Sequence, residues 1–253
     1  MVRVISALKV MHLVKTGILI IGRDSRADGS VRSATALRDY LETKGRKNIR
    51  VAYHSGSPRP MDVMREMHRD GIDTFCILPQ TVFEGRLTVW LMPADAGLPD
   101  NCGSWTMIDG KDVATRFATA PGEDDAMVEG VADRMGAPDG RTGILLVSYG
   151  SRLSMAAKAM RKYQEALRER GWPASFGFLS SDPSVAEGAR ELLDTGISRI
   201  RVVPLMISTE GKGFAEAFSA LERSAAIEMD VEDPISGSDL YMEAMDRRVP
   251  PGW

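Results

Sequence analysis

The sequence is poor in cysteine, in long apolar runs and in net charge, and each shortage excludes a class of protein. It has 2 cysteines in 253 residues, which excludes a disulfide framework and fits a reducing cytoplasm. No apolar run approaches the roughly 18–20 residues of a transmembrane helix, and the N-terminal stretch lacks a signal-peptide cleavage site. The net charge of −3 indicates no general nucleic-acid surface. We expect a cytoplasmic globular protein without membrane or nucleic-acid partners.

The chain contains an internal repeat at an offset of 125 to 126 positions. Thr16–Ile21 reads TGILII and Thr142–Val147 reads TGILLV, and each run leads into a polar turn that ends in Ser-Arg. Further matches follow in the same order: Pro58 with Pro183, Gly71-Ile72 with Gly196-Ile197, Pro79 with Pro204, and Glu84-Gly85 with Glu210-Gly211. Solenoid repeats are ~20–50 residues long, so this longer repeat predicts two duplicated domains, residues 1–136 and 142–253.

Apolar runs and amphipathic segments alternate along both halves. The runs predict strands at 17–22, 49–54, 73–79, 143–148, 174–179, 199–207 and 227–231. The segments with apolar residues three and four apart predict helices at 31–44, 60–69, 123–134, 155–170, 182–193, 213–225 and 240–247, the fifth of them opened by Asp182-Pro183. This order predicts an α/β fold in which each half is a parallel sheet flanked by helices. We expect a pseudo-twofold axis and a central cleft between the halves.

Four polar loops follow predicted strands and are candidates for a binding site. Ligands of open parallel sheets bind beyond the carboxyl ends of the strands, and the loops 23–26, 80–86, 149–152 and 208–212 begin there. Their polar side chains are the candidate site residues: Arg23, Ser25, Arg26, Glu84, Arg86, Tyr149, Ser151, Arg152, Glu210 and Lys212.

These loops carry a resemblance to the class II tetrapyrrole chelatases, the sirohydrochlorin cobalto- and nickelchelatase group. That family has a strand ending in His-Gly-Ser-Arg, a mid-domain strand followed by Pro-Ser, and a V-V-P-L strand leading to Gly-Gly-His. The second half reads LLVSYGSR, FGFLSSDPSV and RVVPLMISTEGKG, and the first half matches more loosely through IIGRDSR, AYHSGSPRP and CILPQTVFEGR. The resemblance implies a chelatase-like fold, a carboxylated, sirohydrochlorin-like tetrapyrrole, divalent cobalt or nickel as a second substrate, and partner enzymes of tetrapyrrole biosynthesis.

The chain departs from the family where the family's histidines would stand. Those two histidines hold the metal and take protons from the macrocycle, and in a duplicated chain they fall on Arg23, Arg86, Tyr149 and Lys212. Three cations repel a divalent ion, and arginine keeps its proton at ordinary pH. We therefore predict that the metal-insertion chemistry is altered or lost. If it persists, Tyr149, Lys212 and Glu210 are the catalytic candidates.

The same loops are still suited to bind anions. Arginine binds carboxylates through two parallel hydrogen bonds, so a rim for the acetate and propionate groups of such a macrocycle is predicted from Arg23, Ser25, Arg26, Arg86, Ser151, Arg152 and Lys212. Two alternatives stand beside this interpretation. In the first, Arg26 and Arg152 serve only to pin their own loops through salt bridges. Glu84 and Glu210 either neutralise the neighbouring cations or face the ligand as residual metal or proton-handling groups.

The three histidines are weighed separately. His54 ends a strand at the binding edge, so it is a weak candidate for a metal ligand or base, against an ordinary loop histidine. His68 lies in the last turn of a predicted helix, where it complements the helix dipole and is expected to be structural. His12 is given no role.

Several functions stay open on the sequence alone. The favoured one is a chelatase-family protein that binds a carboxylated tetrapyrrole, with metal insertion altered or lost. The alternatives are an active cobalt or nickel chelatase with non-standard ligands, a non-enzymatic binder of another anionic metabolite, and an interaction protein with a vestigial cleft. Whether the chain is an enzyme is left open.

Overall fold

A computed structural model describes residues 14–151, 153–224 and 227–253, without the side chains of 222–224. The first half contains a five-stranded sheet of order β2-β1-β3-β5-β4. Its strands are β1 Thr16–Asp24, β2 Ile49–Ser55, β3 Thr74–Pro79, β4 Trp105–Ile108 and β5 Lys111–Phe117. All neighbours pair in parallel except β4, which runs antiparallel to β5.

The second half contains a four-stranded, fully parallel sheet of order β7-β6-β8-β9. Its strands are β6 Thr142–Ser148, β7 Ala174–Phe178, β8 Arg199–Pro204 and β9 Glu228–Val231. The central three strands have the same order in both halves, since β2-β1-β3 matches β7-β6-β8. The predicted fold class, two parallel-sheet α/β domains, is therefore confirmed. The pseudo-twofold axis and the boundaries 1–136 and 142–253 remain predictions.

The helices form three layers around the two sheets. A central layer of α1 Asp28–Thr43, α4 Asp125–Arg134, α5 Ser154–Glu169 and α8 Asp239–Asp246 lies between the sheets and contributes to one shared apolar core. The outer face of the first sheet is covered by α2 Pro60–Arg69 and by a π-helix, Leu87–Leu91, that continues into α3 Met92–Asp95. The outer face of the second is covered by α6 Val185–Leu193 and α7 Lys212–Ser224.

The central strands are buried on both faces, which explains their continuous apolar sequence. In β1, Ile18 and Ile20 point into the shared core, whereas Leu19 and Ile21 point into the outer core. All four side chains have no exposed surface. Strand side chains alternate between faces, so a strand covered on both sides has no position left for a polar residue.

The structure departs from the predicted elements at three places. An unpredicted hairpin joins β4 to β5 through Asp109-Gly110, both with positive φ, and the Asp-Gly pair between alternating runs is a strong hairpin signal. The third strand of the second half ends at Pro204 and not at 207, since the chain leaves the sheet there. The prediction that Asp182-Pro183 opens α6 is wrong, because Ser184 is the N-cap and forms a capping box with Glu187.

Within the parts of the chain that the structure describes, none of the helices has both the length and the hydropathy to cross a membrane.

Candidate functional site

The end of β1 and the turn that follows β6 meet across the boundary between the two halves. The guanidinium carbon of Arg23 lies 4.5 Å from the centroid of the Tyr149 ring. This is the geometry of a cation–π contact, in which the positive group lies over the electron-rich face of the ring. Tyr149 is 38% exposed and Arg23 is exposed, so the contact lies at the surface and both groups remain accessible.

The other two predicted loops lie beside this contact. A Cβ atom built on Gly85 would lie 3.3 Å from Oγ of Ser151, and one built on Gly211 would lie 3.1 Å from the hydroxyl of Tyr149. Glycine therefore lets each loop approach the turn after β6 closely. The four loops that follow β1, β3, β6 and β8 lie together at the boundary of the halves, although the roles of their residues in binding remain predictions.

Arg26 pins its own turn, as one of the alternatives proposed. Its side chain forms a two-point ion pair with Asp24, with distances of 2.9 and 2.8 Å, and its backbone N–H donates to the same carboxylate at 2.9 Å. The hydrogen bonds from Arg26 lower the pKa of Asp24 from 3.8 to about 2. Because its charge is matched within the turn, Arg26 is less available to a ligand than an unpaired arginine would be.

Ser25 holds the turn after β1 to the loop after β2. Its Oγ accepts a hydrogen bond from the backbone N–H of Ser57 at 3.0 Å, and its own N–H donates to the carbonyl of Ser55 at 3.1 Å. Gly56 allows this approach, because a Cβ there would lie 2.0 Å from Oγ of Ser25 and the residue has φ +89°. In the second half, Oγ of Ser151 accepts from the N–H of Leu153 at 3.1 Å. Both hydroxyls keep a proton to donate.

Glu84 is an internal support of its loop, and it does not neutralise Arg86. Its carboxylate is buried and accepts hydrogen bonds from the N–H of Ala120, from Oγ1 of Thr88 at 2.9 Å and from Nδ2 of Asn101 at 3.4 Å. A buried carboxylate with three donors is satisfied where it lies. The sequence could not identify these partners, because they lie up to 36 positions away.

Glu210 also does not neutralise the cation next to it in sequence. It forms an ion pair with Arg32 of α1, so it connects the two halves. Lys212 instead lies 3.5 Å from Glu216 on the same helix, and its side chain is 89% exposed. The alternative in which Glu210 neutralises Lys212 is therefore wrong, and the catalytic role of Lys212 remains a prediction.

Arg86, like Arg23, has no carboxylate partner among the described residues. It is exposed, and across the described ranges no hydrogen bond, ion pair or ring contact involves it. It stands immediately before the π-helix, at the end of the loop after β3. The predicted site residue Arg152 lies outside the described residues, as does His12.

His54 belongs to a hydrogen-bonded cluster. Its Nδ1 lies 2.6 Å from Asp95, which also pairs with Arg59 at 2.9 Å, and Arg59 donates in turn to the carbonyl of His54. Sequence reasoning missed Asp95 and Arg59, because Asp95 lies 41 positions after His54 and no pattern in the sequence indicates that the two are in contact. His68 is structural as expected, since its Nδ1 contacts the carbonyl of Ile72 at 2.8 Å.

The residues present do not form a donor set for a divalent metal. Among the described residues, no three of the His, Cys, Asp and Glu side chains come together with metal-ligand geometry. The pair His54 and Asp95 supplies two donors, and Arg59 adds a positive charge beside them. Transition metals in proteins are usually held by three or four such ligands.

A groove elsewhere on the molecule does not compete as an anion site. It has a volume of about 740 Å³ and lies at the end of β9, lined by Arg134, Val231, Glu232, Asp233, Pro234, Ser236, Gly237 and Ser238. Arg134 is the single cation among these lining residues, and it is paired with Glu232 at 2.7 Å.

The two sheets with their shared helix layer and the loops at their carboxyl ends define a protein of the chelatase class. The family model described as CbiX matches the chain twice, over residues 17–137 and 143–250. The chain therefore belongs to the CbiX family. Among characterised relatives, the sirohydrochlorin cobaltochelatase of Sulfurisphaera tokodaii is 27% identical over 108 residues, which cover 42% of this chain and 90% of that protein.

Solved structures share the fold of this chain. SirB from Bacillus subtilis, determined with Fe3+, has a TM-score of 0.71 at 16% identity and covers 92% of this chain and 94% of its own. The protein DR2241 from Deinococcus radiodurans, which has structural similarity to chelatases and two additional domains, has a TM-score of 0.71 at 19% identity. That match covers 95% of this chain, and the chain spans 56% of that larger protein. At these identities the likeness shows the fold.

Proposed function

We propose that this CbiX-family protein binds a carboxylated, sirohydrochlorin-like tetrapyrrole at the four loops and has lost or altered the family's metal-insertion chemistry. The observation that carries the proposal is the contact between Arg23 and Tyr149 at 4.5 Å. These residues stand where the family pattern has histidine in the first strand turn of each half. Their contact supports a single site built from both halves, with an arginine and a phenol in place of metal ligands.

The unpaired arginines supply the binding energy in this proposal. Arg23 and Arg86 have no carboxylate partner in the described parts of the chain, so each is free to form charge-assisted hydrogen bonds with an acetate or propionate group. Such bonds contribute about 1.5–3 kcal/mol each. The hydroxyls of Ser25 and Ser151 add neutral donors, and the exposed ring of Tyr149 offers an apolar surface for a planar ligand.

The same charges disfavour a divalent ion. At 4 Å, two unit charges of the same sign repel by about 4 kcal/mol at an effective dielectric constant of 20, and a divalent ion doubles this. The distance between the Arg23 guanidinium and the Tyr149 ring is of that order. A metal held by the Tyr149 phenolate would therefore lie close to a permanent cation, which supports loss of insertion by the usual route.

The test is a spectroscopic titration of the intact protein with sirohydrochlorin, repeated with cobalt or nickel present. We expect saturable binding that weakens as salt is added, and metal insertion no faster than in the protein-free reaction. Insertion well above that rate would overturn the loss of chemistry and would support an active chelatase with non-standard ligands. Absence of any tetrapyrrole binding would overturn the proposal and favour another anionic metabolite or an interaction role.

The proposal includes a cytoplasmic location and partner enzymes. Cys76 and Cys102 are both free thiols, which agrees with a reducing cytoplasm. A protein that holds a tetrapyrrole without completing the metal insertion requires other enzymes of tetrapyrrole synthesis to deliver and receive it. A pull-down with and without sirohydrochlorin would test this, since partners of a loaded carrier should be retained only when the ligand is present.

A further inference from the structure

The equivalent cations in the site loops of the two halves differ in whether a carboxylate pairs with them. At the repeat offset of 126, Arg86 corresponds to Lys212 and Trp90 corresponds to Glu216. In the second half, the lysine lies 3.5 Å from the glutamate four residues later, so its charge is matched on its own helix. In the first half, the residue four positions after the arginine is a tryptophan, which cannot neutralise it.

Arg86, directly before the π-helix, and Trp90, within it, are both exposed. Thr88 and Met92 have no exposed surface, whereas Trp90 is 45% exposed. A tryptophan left this open to water is uncommon in a globular protein, because burying the indole is favourable. An exposed guanidinium, that of Arg86, therefore lies four positions before an exposed indole, that of Trp90.

The helix that carries this pair is firmly held. Oγ1 of Thr88 donates to the buried carboxylate of Glu84 at 2.9 Å and accepts from the N–H of Gly85 at 2.9 Å. At the next residue, the carbonyl of Val89 accepts a hydrogen bond from the N–H of Asn101 at 3.1 Å. Gly85 lies against Ser151 of the second half, so the start of the helix is fixed next to the contact between the halves. A rigid support limits the entropy lost when a ligand binds.

We propose that Arg86 and Trp90 are the main ligand contacts of the first half, and that they bind the edge of a planar macrocycle. The indole packs against the apolar face of the ring, and the guanidinium binds a carboxylate at its rim. This inference rests on the proposed function and assigns the tightest contact to the less well preserved half. The charge of Arg86 matches an anionic edge, and the flat indole matches an aromatic plane. Lys212, which is paired with Glu216, contributes less to ligand binding.

The decisive variant is Trp90→Glu, which gives the first half the arrangement of the second. The new carboxylate, four residues after Arg86, would neutralise the arginine as Glu216 neutralises Lys212. Affinity for sirohydrochlorin is measured from the absorbance of the macrocycle, so that the loss of an indole does not alter the signal. We expect Trp90→Ala to weaken binding about three- to tenfold, and Trp90→Glu and Arg86→Ala to weaken it at least tenfold. Trp90→Phe should restore most of the loss seen with alanine.

Control measurements distinguish direct ligand contacts of Arg86 and Trp90 from a general change in the protein. Trp105→Ala removes an indole that is 60% exposed on β4 and should change affinity less than twofold. Lys212→Ala removes the cation that Glu216 pairs with and should weaken binding less than Arg86→Ala does. The tetra-ester of a carboxylated porphyrin should bind the wild type weakly and should not distinguish Arg86→Ala from it. If the wild type binds sirohydrochlorin while Trp90→Glu binds equally well, this inference is wrong and the proposed function stands. If Lys212→Ala weakens binding as much as Arg86→Ala, the assignment to the first half is wrong. If the wild type binds no tetrapyrrole, the proposed function itself fails.

Discussion

Arg248 and Asp124 join the end of the second half to the last helix of the first. The guanidinium contacts both carboxylate oxygens at 2.8 Å, and it also donates to the carbonyls of Thr119, Ala120 and Ala244. The Arg248 side chain is 11% exposed. One arginine near the C-terminus therefore satisfies backbone groups from both halves, within the helix layer that the halves share.

Replacing Arg248 with alanine should destabilise the whole molecule. The change leaves a half-buried carboxylate and three carbonyls without their donor, so we expect a loss of about 3–5 kcal/mol in the free energy of unfolding. Urea denaturation followed by circular dichroism measures it. Arg38→Ala is the matched control, since its pair with Asp39 is exposed and should contribute about 0–1 kcal/mol. Equal losses in the two variants would show that the contact does not join the halves energetically.

The turn after β1 should show its ion pair in a carboxylate titration. We expect NMR to give Asp24 a pKa of about 2, and Arg26→Ala to return it toward 3.8. Because the folded-state pKa is depressed, the stability from this pair is present above about pH 4 and is lost as the pH falls toward 2. Asp139 serves as the internal control, since hydrogen bonds from Arg141 and Thr142 also hold its pKa at about 2. A change in the pKa of Asp139 in the Arg26→Ala variant would show that the substitution alters the structure beyond the turn.

Removing the carboxylate of Glu84 should reduce the stability of the protein more than removing that of Glu210. Glu84 is buried with three donors, so Glu84→Ala should reduce the free energy of unfolding by about 1–3 kcal/mol. Glu210 is about half exposed and is paired with Arg32, so Glu210→Ala should cost less than about 1 kcal/mol. Thermal unfolding of both variants measures this. Similar stabilities would contradict the structural role of Glu84.

Restoring the family's histidines in the second half should restore some metal affinity. The double variant Tyr149→His and Lys212→His replaces a phenol and a cation with two neutral imidazoles. We expect calorimetry to detect cobalt or nickel binding that strengthens from pH 6 to pH 8, as the imidazoles lose their protons. Tyr149→Phe with Lys212→Ala removes the same groups without adding ligands and should bind no metal. Binding by this control as well would place the metal elsewhere.

The strands and helices were predictable because they depend on local pattern. The runs TGILII and TGILLV are apolar on both faces, and they form β1 and β6 at the centre of their sheets. The hairpin from Trp105 to Phe117 was also encoded in the sequence, in the Asp109-Gly110 turn between alternating residues, but its short strands were missed. Its antiparallel edge strand is an addition to the repeated pattern of parallel strands.

The sequence by itself determined the duplication, the fold class and the four loops of the candidate site, because the order of strands and helices fixes which loops follow the strands. Only the tertiary structure decided the state of each charge. Glu84 is a buried support, Glu210 pairs with Arg32, and Arg86 has no partner among the residues that the structure describes. A charge is neutralised by the group that folding places within about 4 Å of it. The repeat placed Arg23 and Tyr149 in one predicted site, but ion pairs between distant parts of the chain, such as that of Glu210 with Arg32, leave no local pattern that sequence reading could detect.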